Sequence, residues 1–478
     1  MEKQTDFARG KCGKTIIAGF FNPVYPEGHS RKQVYLRIWN IFAPATAEYA
    51  LLQLVNMFDQ MQVGSLGAEA LVAVGLAGQV RSILITLFLA LNIGLTAMVA
   101  RALGQKREDG ISVLVSNGFL ITLILSIVIS YIGTIIAKPM LILFNIPDEV
   151  TLEYGVQYLR IILMGFIPLA LTTTLTAALR GIGNTKVSLF YNALSNILNI
   201  FFNWVLINGN LGFPRLEVKG AAIATVIGQT VAFFIALGVA FRRGNCLGMK
   251  VQRIIKSFDW PAIKDIFRIG LPAMLSQGMS RFGIATYNAI VASLGTSLYA
   301  THVICTNIQL LTGMTGQSCE IVSMTMSGQS LGAERKDLAV LYTNCSLKLC
   351  LLLSVVLMAV YSLFGGPIIG LYNSDSDIIT NGITPLRIIA LMQLLSAIQY
   401  VASGAIKGAG DTLGVSIYSL TTKCILRPIL AFIAVYKLNL GLNGAWWAHC
   451  LSECVCSILI GIRYLSGKWM YAFKQKRR

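Results

Sequence analysis

Four residues of this 478-residue chain have types and spacing suited to handling a small cation: Asp59, Asn199, Asn203 and Thr225. Asp59 lies inside the apolar segment 36–63, where a carboxylate is costly and marks an ion or proton pathway by default. In surroundings of low dielectric such a group can bind and release a proton. With amide and hydroxyl oxygens around it, it can instead hold Na+, a hard cation that prefers oxygen ligands. Counting at 1.5 Å per residue puts Asp59, Asn203 and Thr225 roughly 7–9 Å below the outer end of their segments. The bland alternative for Asp59 is a cap on a neighbouring helix, or a carboxylate that reaches outer water.

Asn192, Asn196, Asn199 and Asn203 follow an i, i+4, i+7, i+11 spacing, a single helical face. Amides facing lipid would be expensive, so this stripe is expected to face protein or a watery cavity. For Asn192 and Asn196, hydrogen bonding between helices competes with lining a substrate cavity. Glu48, Glu320 and Glu453 are the other acids in apolar segments. Intramembrane charges usually pair. Arg81 is the expected partner of Glu48, and Arg281, Lys423 or Arg427 that of Glu453. Left unpaired, the three acids would draw cationic substrate into a cavity. Pro44 and Pro272 fall inside helical segments, where proline removes a hydrogen bond, and are candidate hinges.

These residues need long apolar elements to hold them. The chain is 55% hydrophobic and 13% charged, with a mean hydropathy of +0.67. A soluble domain carries about 25% charged residues, so a water-soluble enzyme is excluded. Twelve segments between 36 and 463 are each long and apolar enough to span a bilayer. The net charge of +18 is distributed as an orientation signal. With the N-terminus inside, cytoplasmic segments hold 28 Lys or Arg and outer loops hold four. Both termini are therefore expected in the cytoplasm, and the charge needs no nucleic-acid partner. Ten cysteines, eight in or beside apolar runs, form no disulfide or metal pattern. Gly328-Gln329-Ser330-Leu331-Gly332 fits a nucleophile motif, but it ends an apolar segment without the strand–turn–helix context required. Gly13-Lys14-Thr15 lacks the rest of a phosphate loop.

The chain also repeats itself. Pro44 and Pro272 are 228 residues apart, as are Leu103–Asp109 and Leu331–Asp337. Ala178–Thr185 and Ala405–Thr412 are 227 apart, and Gly220-Ala221-Ala222 echoes Gly444-Ala445-Trp446. Six helices per half give both halves the same orientation, a parallel repeat typical of transporters. The expected layout is an N-terminal cytoplasmic segment 1–35, an N-lobe 36–241, a linker 242–265, a C-lobe 266–465 and a basic tail 466–478. Arg477 and Arg478 in that tail suit anionic lipid headgroups.

The end of the first helix, Asp59…Gly64-Ser65-Leu66-Gly67, resembles the multidrug and toxic compound extrusion (MATE) family. So do Arg101-Ala102-Leu103-Gly104, the glycine turns after the fourth and tenth helices, and Gly220–Thr225. The resemblance covers roughly 36–468. It implies an all-α fold of twelve transmembrane helices in two six-helix lobes. It also implies export of organic cations or amphiphiles in exchange for H+ or Na+, and no cofactor or enzymatic activity. It further implies an ion site built from Asp59, Asn199, Asn203 and Thr225, with Asn203 where the family pattern has a second carboxylate. A lipid or lipid-linked oligosaccharide flippase of the same superfamily is the alternative. Membrane lipids and small molecules are the expected partners. One twelve-helix chain can hold a full pathway, so a monomer in the cytoplasmic membrane is expected.

Overall fold

The computed structural model describes residues 12–142, 148–242, 247–249, 258–373 and 375–472. Parts of the N-terminal segment, the linker and the tail, Arg477 and Arg478 included, lie outside the described residues. Every described element is a helix. A short helix, α1 (Cys12–Phe21), precedes the first half, which comprises α2 (Arg31–Gly64), α3 (Ala68–Gly104), α4 (Glu108–Ile142), α5 (Glu149–Met164), α6 (Phe166–Ile182), α7 (Thr185–Asn208) and α8 (Glu217–Phe241). The second half comprises α9 (Trp260–Ala292), α10 (Thr296–Gly332), α11 (Lys336–Gly370), α12 (Ser376–Gly408), α13 (Thr412–Leu420), α14 (Arg427–Phe432) and α15 (Gly441–Leu465). Two π-helical turns, Thr421–Leu426 and Ile433–Lys437, join α13 to α14 and extend α14, so that 412–437 reads as one span.

Lipid cannot hydrogen-bond a backbone, so a spanning segment must satisfy its own amides, and helices do so. Among the described residues, eight spans pass on length and apolarity alone, and the α5–α6 pair makes a ninth. That pair is bent by 50° across Gly165. The remaining three, α2, α9 and α10, are 34, 33 and 37 residues long but more polar. The count of twelve matches the expectation, with the fourth span bent rather than straight. A Cβ on Gly165 would overlap the side chain of Val226, so the glycine lets α8 approach the bend.

The repeat is legible in the backbone. Lys106 and Glu334 both adopt positive φ, 55° and 59°. Each turn is closed by equivalent bonds, Arg107 N to Ala102 O at 3.0 Å and Arg335 N to Ser330 O at 2.9 Å. Gly183 and Gly410 are left-handed at φ 85° and 81° and end their helices with matching bonds to Arg180 O and Lys407 O, both 2.9 Å. Gly181 packs on the carbonyl of Thr96, and its repeat mate Gly408 on the carbonyl of Met324, so a Cβ at either would strike backbone. Small residues permit such close helix contact where lipid supplies no hydrophobic drive.

Packing divides the chain into two compact units, Pro44–Gly270, and Met1–Ala43 with Leu271–Arg478. The divisions fall at or beside Pro44 and Pro272, which lie inside continuous α2 and α9. The first unit is cored by Ala77, Leu141, Leu159, Leu163, Ile207 and Ala222. The second is cored by Val291, Cys305, Leu386, Ile389 and Trp446. Also in the second unit, Ile16 of α1 packs with Leu331, Ile406, Ile460 and Trp469, and its carbonyl accepts from Asn344 Nδ2 at 3.0 Å. Ile135, Leu352 and Leu363 are among the large apolar side chains left exposed, as suits a surface solvated by lipid.

Candidate functional site

Asp59 is carried by the last turns of α2 and is half-buried. Its Oδ1 accepts from Asn203 Nδ2 at 2.6 Å. Asn203 is 1% exposed, and its own Oδ1 is buried without a hydrogen-bond partner among the described residues. Asn199 lies one turn earlier on α7 and is bonded to Thr225 Oγ1 at 3.1 Å. Turning its amide over places its nitrogen 2.8 Å from Asp59 Oδ1, while its oxygen accepts from Thr225 Oγ1 and N at 3.1 and 3.2 Å. That orientation satisfies both ends, and amide orientation is assigned from such networks. In the first orientation the single hydroxyl proton of Thr225 goes instead to Ala221 O of its own helix, at 3.0 Å. The four residues singled out in the sequence therefore meet, from α2, α7 and α8. They present one carboxylate, two amides and one hydroxyl, a donor set suited to a proton or a hard monovalent cation.

Two neighbours are not evident from the sequence. Arg81 on α3, expected to pair with Glu48, acts electrostatically on Asp59 instead. Tyr158 on α5 is buried, with Arg81, Asp59 and Thr225 near its hydroxyl. Nothing in the sequence around Tyr158 marks it, because a tyrosine in an apolar segment carries no charge to single it out.

The partner of Glu48 is Arg180, with Nη2 to Oε1 at 2.9 Å and both side chains largely buried. Asn192 Nδ2 and Ser188 Oγ also donate to Glu48, at 2.9 and 3.0 Å. The pairing with Arg81 fails because residue depth fixes the level of a charge in the bilayer but not the direction its helix turns it. The asparagine stripe thus faces α2 and α8 for most of its length. Asn196 is half-buried and makes no side-chain hydrogen bond among the described residues.

Glu320 pairs with Lys407 at 2.5 Å. Glu453 pairs with Arg427 at 2.5 Å and Lys423 at 3.7 Å, two of its three expected partners. Each of the three glutamates thus has a base beside it. Arg180 and Lys407 occupy equivalent places in the two repeats, yet their acids come from different helices, α2 and α10. The serine of the 328–332 motif sits within α10, and Lys14 within α1, so neither enzyme-like signature has its required setting. Among the described residues no group of three or more His, Cys, Asp or Glu side chains has metal-site geometry.

The MatE family model matches residues 44–205 and 272–433, each match beginning at one of the two helix prolines. The chain is 28% identical over 426 residues to the probable multidrug resistance protein NorM of Thermotoga maritima, spanning 89% of this chain and 91% of that protein. It is 24% identical to the multidrug resistance protein NorM of Photobacterium profundum, spanning 86% and 90%. An outward-facing multidrug resistance MATE family transporter of the MOP superfamily is similar in structure, with a TM-score of 0.84 at 22% identity over 92% of this chain and 96% of that one. A MATE crystal structure in a bent conformation gives 0.84 at 23% identity over 93% and 97%. At these identities the structural likeness bears on the fold.

Proposed function

The chain belongs to the MatE family of multi-pass membrane transporters, and on that premise we propose that it is a secondary antiporter. It exports cationic or amphiphilic small molecules across the cytoplasmic membrane in exchange for H+ or Na+. The observation that carries the reading is the half-buried Asp59 carboxylate held by Asn203 at 2.6 Å, beside an Asn203 oxygen that has no donor. A proton on Asp59 supplies what that oxygen lacks once the Asn203 amide turns over, and a Na+ shared by the carboxylate and the amide oxygens supplies it as a ligand. Either cation removes the charge that the amides of Asn199 and Asn203 now serve. The contacts between α2 and α7 then differ between loaded and empty states. An ion can shift a conformational equilibrium only through such a difference in affinity.

Pro44 lies on the same helix as Asp59 and is the proposed bending point of α2, with Pro272 its counterpart on α9. The relatives named for multidrug resistance support small-molecule export as the direction of transport. The flippase alternative gains no support from Arg427, whose guanidinium is taken by Glu453.

Uptake of a fluorescent organic cation into inverted vesicles tests the reading, first under a pH gradient and then under a Na+ gradient. Uptake that depends on one gradient and is lost in Asp59→Asn is the expected result, and it identifies the ion. Unchanged uptake in Asp59→Asn overturns the assignment of the coupling site.

A further inference from the structure

The second repeat carries a polar cluster where the first carries the Asp59 site, with the opposite chemistry. Tyr287 is the repeat mate of Asp59 at the 228-residue offset of Pro44 and Pro272. His449 is the mate of Thr225 at the 224-residue offset of Gly220 and Gly444. The Tyr287 hydroxyl is spent on Ala445 O at 3.1 Å, so the acid of the first repeat has no counterpart here. Around Tyr287 stand His302 at 5.6 Å and His449 at 5.8 Å between ring centroids, and Trp446 stacks on His449 at 5.5 Å.

Three nitrogens of this cluster, Trp446 Nε1, His302 Nδ1 and His449 Nδ1, are buried and have no hydrogen-bond partner among the described residues. Their residues are 0%, 3% and 8% exposed. An indole N–H can only donate, and an unpaired buried donor is expensive. The charges lean the same way. Glu453 is shared by Arg427 and Lys423, with His449 Nε2 3.9 Å away. With both histidines neutral, two bases face one acid and one positive charge is left over. Lys423 sits in the π-helical turn Thr421–Leu426, and Gly283 of α9 packs against its backbone. Such wide turns are rare and recur at functional sites. A surplus positive charge and an orphan indole donor in one apolar region are both offset by a small negative group.

We propose that the second unit holds a binding site for a compact monoanion at the repeat image of the Asp59 site. Lys423 supplies the surplus charge, and Trp446 supplies the N–H donor. The occupant is either free chloride or the carboxylate of a transported zwitterion. The site is independent of the coupling reading, because its test reads binding rather than exchange.

The full-length protein in lipid nanodiscs is titrated with chloride and, separately, with acetate as a carboxylate probe. Sulfate, a dianion without a carboxylate, holds the ionic strength constant. Tryptophan fluorescence and the unfolding temperature are both recorded, since a ligand that binds only the folded state raises the latter. The expected result is a saturable change in both signals for at least one anion. Binding weakens about tenfold or more in Lys423→Gln, the loss of about 1.4 kcal/mol of affinity. The fluorescence change disappears in Trp446→Phe. Lys423 is the most exposed of the three charges and leaves the Arg427–Glu453 pair whole, so Lys423→Gln reports even if Trp446→Phe does not fold. A response to chloride identifies the free ion as occupant, and a response to acetate alone identifies a substrate carboxylate. No saturable response to either anion, or equal binding in Lys423→Gln, overturns the proposal.

Discussion

Glu48 and Asp59 stand eleven residues apart on α2, and each takes an amide of α7 that lies 144 residues further along the chain. Asn192 reaches Glu48 at 2.9 Å and Asn203 reaches Asp59 at 2.6 Å. Eleven residues make about three helical turns, so α2 and α7 run side by side in register, joined at two levels by the same acid–amide contact. The two levels differ in what else they hold. Glu48 is neutralised by Arg180, whereas Asp59 has no salt-bridge partner within 4.0 Å among the described residues. The first suits a structural tie, and the second a group whose charge changes in use.

Restoring a second carboxylate at the Asp59 level tests that division. In Asn203→Asp the exchange persists and the number of ions taken up per substrate rises, read as ion and substrate fluxes in the same proteoliposomes. An unchanged ratio would show that position 203 takes no part in ion binding. The same substitution pattern at the lower level, Asn192→Asp, is expected to leave the ratio as in the wild type.

The Glu48–Arg180 pair is expected to behave as a buried tie. Arg180→Met leaves Glu48 with only Ser188 and Asn192, and breaking such a pair costs about 3–5 kcal/mol. The double variant Glu48→Gln/Arg180→Met recovers most of that loss, because no charge is then stranded. Thermal unfolding of the purified variants measures both, and a double variant no better than Arg180→Met would refute the pairing as the cause.

The packing of α8 against the bend of the fourth span depends on a single missing methyl group. Gly165→Ala is expected to destabilise by about 1–3 kcal/mol, the usual cost of overpacking, because the new Cβ overlaps Val226. Val226→Ala in the same chain restores stability by vacating that space. Failure of this rescue would place the cost in the backbone of the bend instead.

Both termini are expected in the cytoplasm, from the distribution of Lys and Arg. A cysteine at Phe213, an exposed residue in the connection after α7, should react with an impermeant maleimide added to intact cells. A cysteine at Lys186, at the start of α7, should react only after permeabilisation. The reverse labelling pattern would invert the topology and with it the side from which the coupling ion enters.

The candidate site is partly legible in the sequence. Asp59, Asn199, Asn203 and Thr225 stand out because each is polar at an apolar position, and the fold brings all four together. Arg81 and Tyr158 beside them are not legible as members of the site. Depth alone points Arg81 to Glu48, and Tyr158 is an uncharged residue in an apolar segment, which reads as core.

By itself the sequence determined the helices, their number and their repetition. In hydrocarbon each spanning segment must close its own backbone hydrogen bonds. The existence of a helix is therefore written locally in apolar length, and a repeat is written in matched turns such as Gly183 and Gly410. The tertiary structure decided partners. Glu48 with Arg180, and Glu453 with Arg427 and Lys423, follow from the rotation of each helix about its axis. So does the meeting of Tyr287, His302, Trp446 and His449 from three helices. That rotation is set by interhelical packing at contacts such as Gly181 on Thr96 and Gly408 on Met324, where the two surfaces that must fit are 85 and 84 residues apart in the chain.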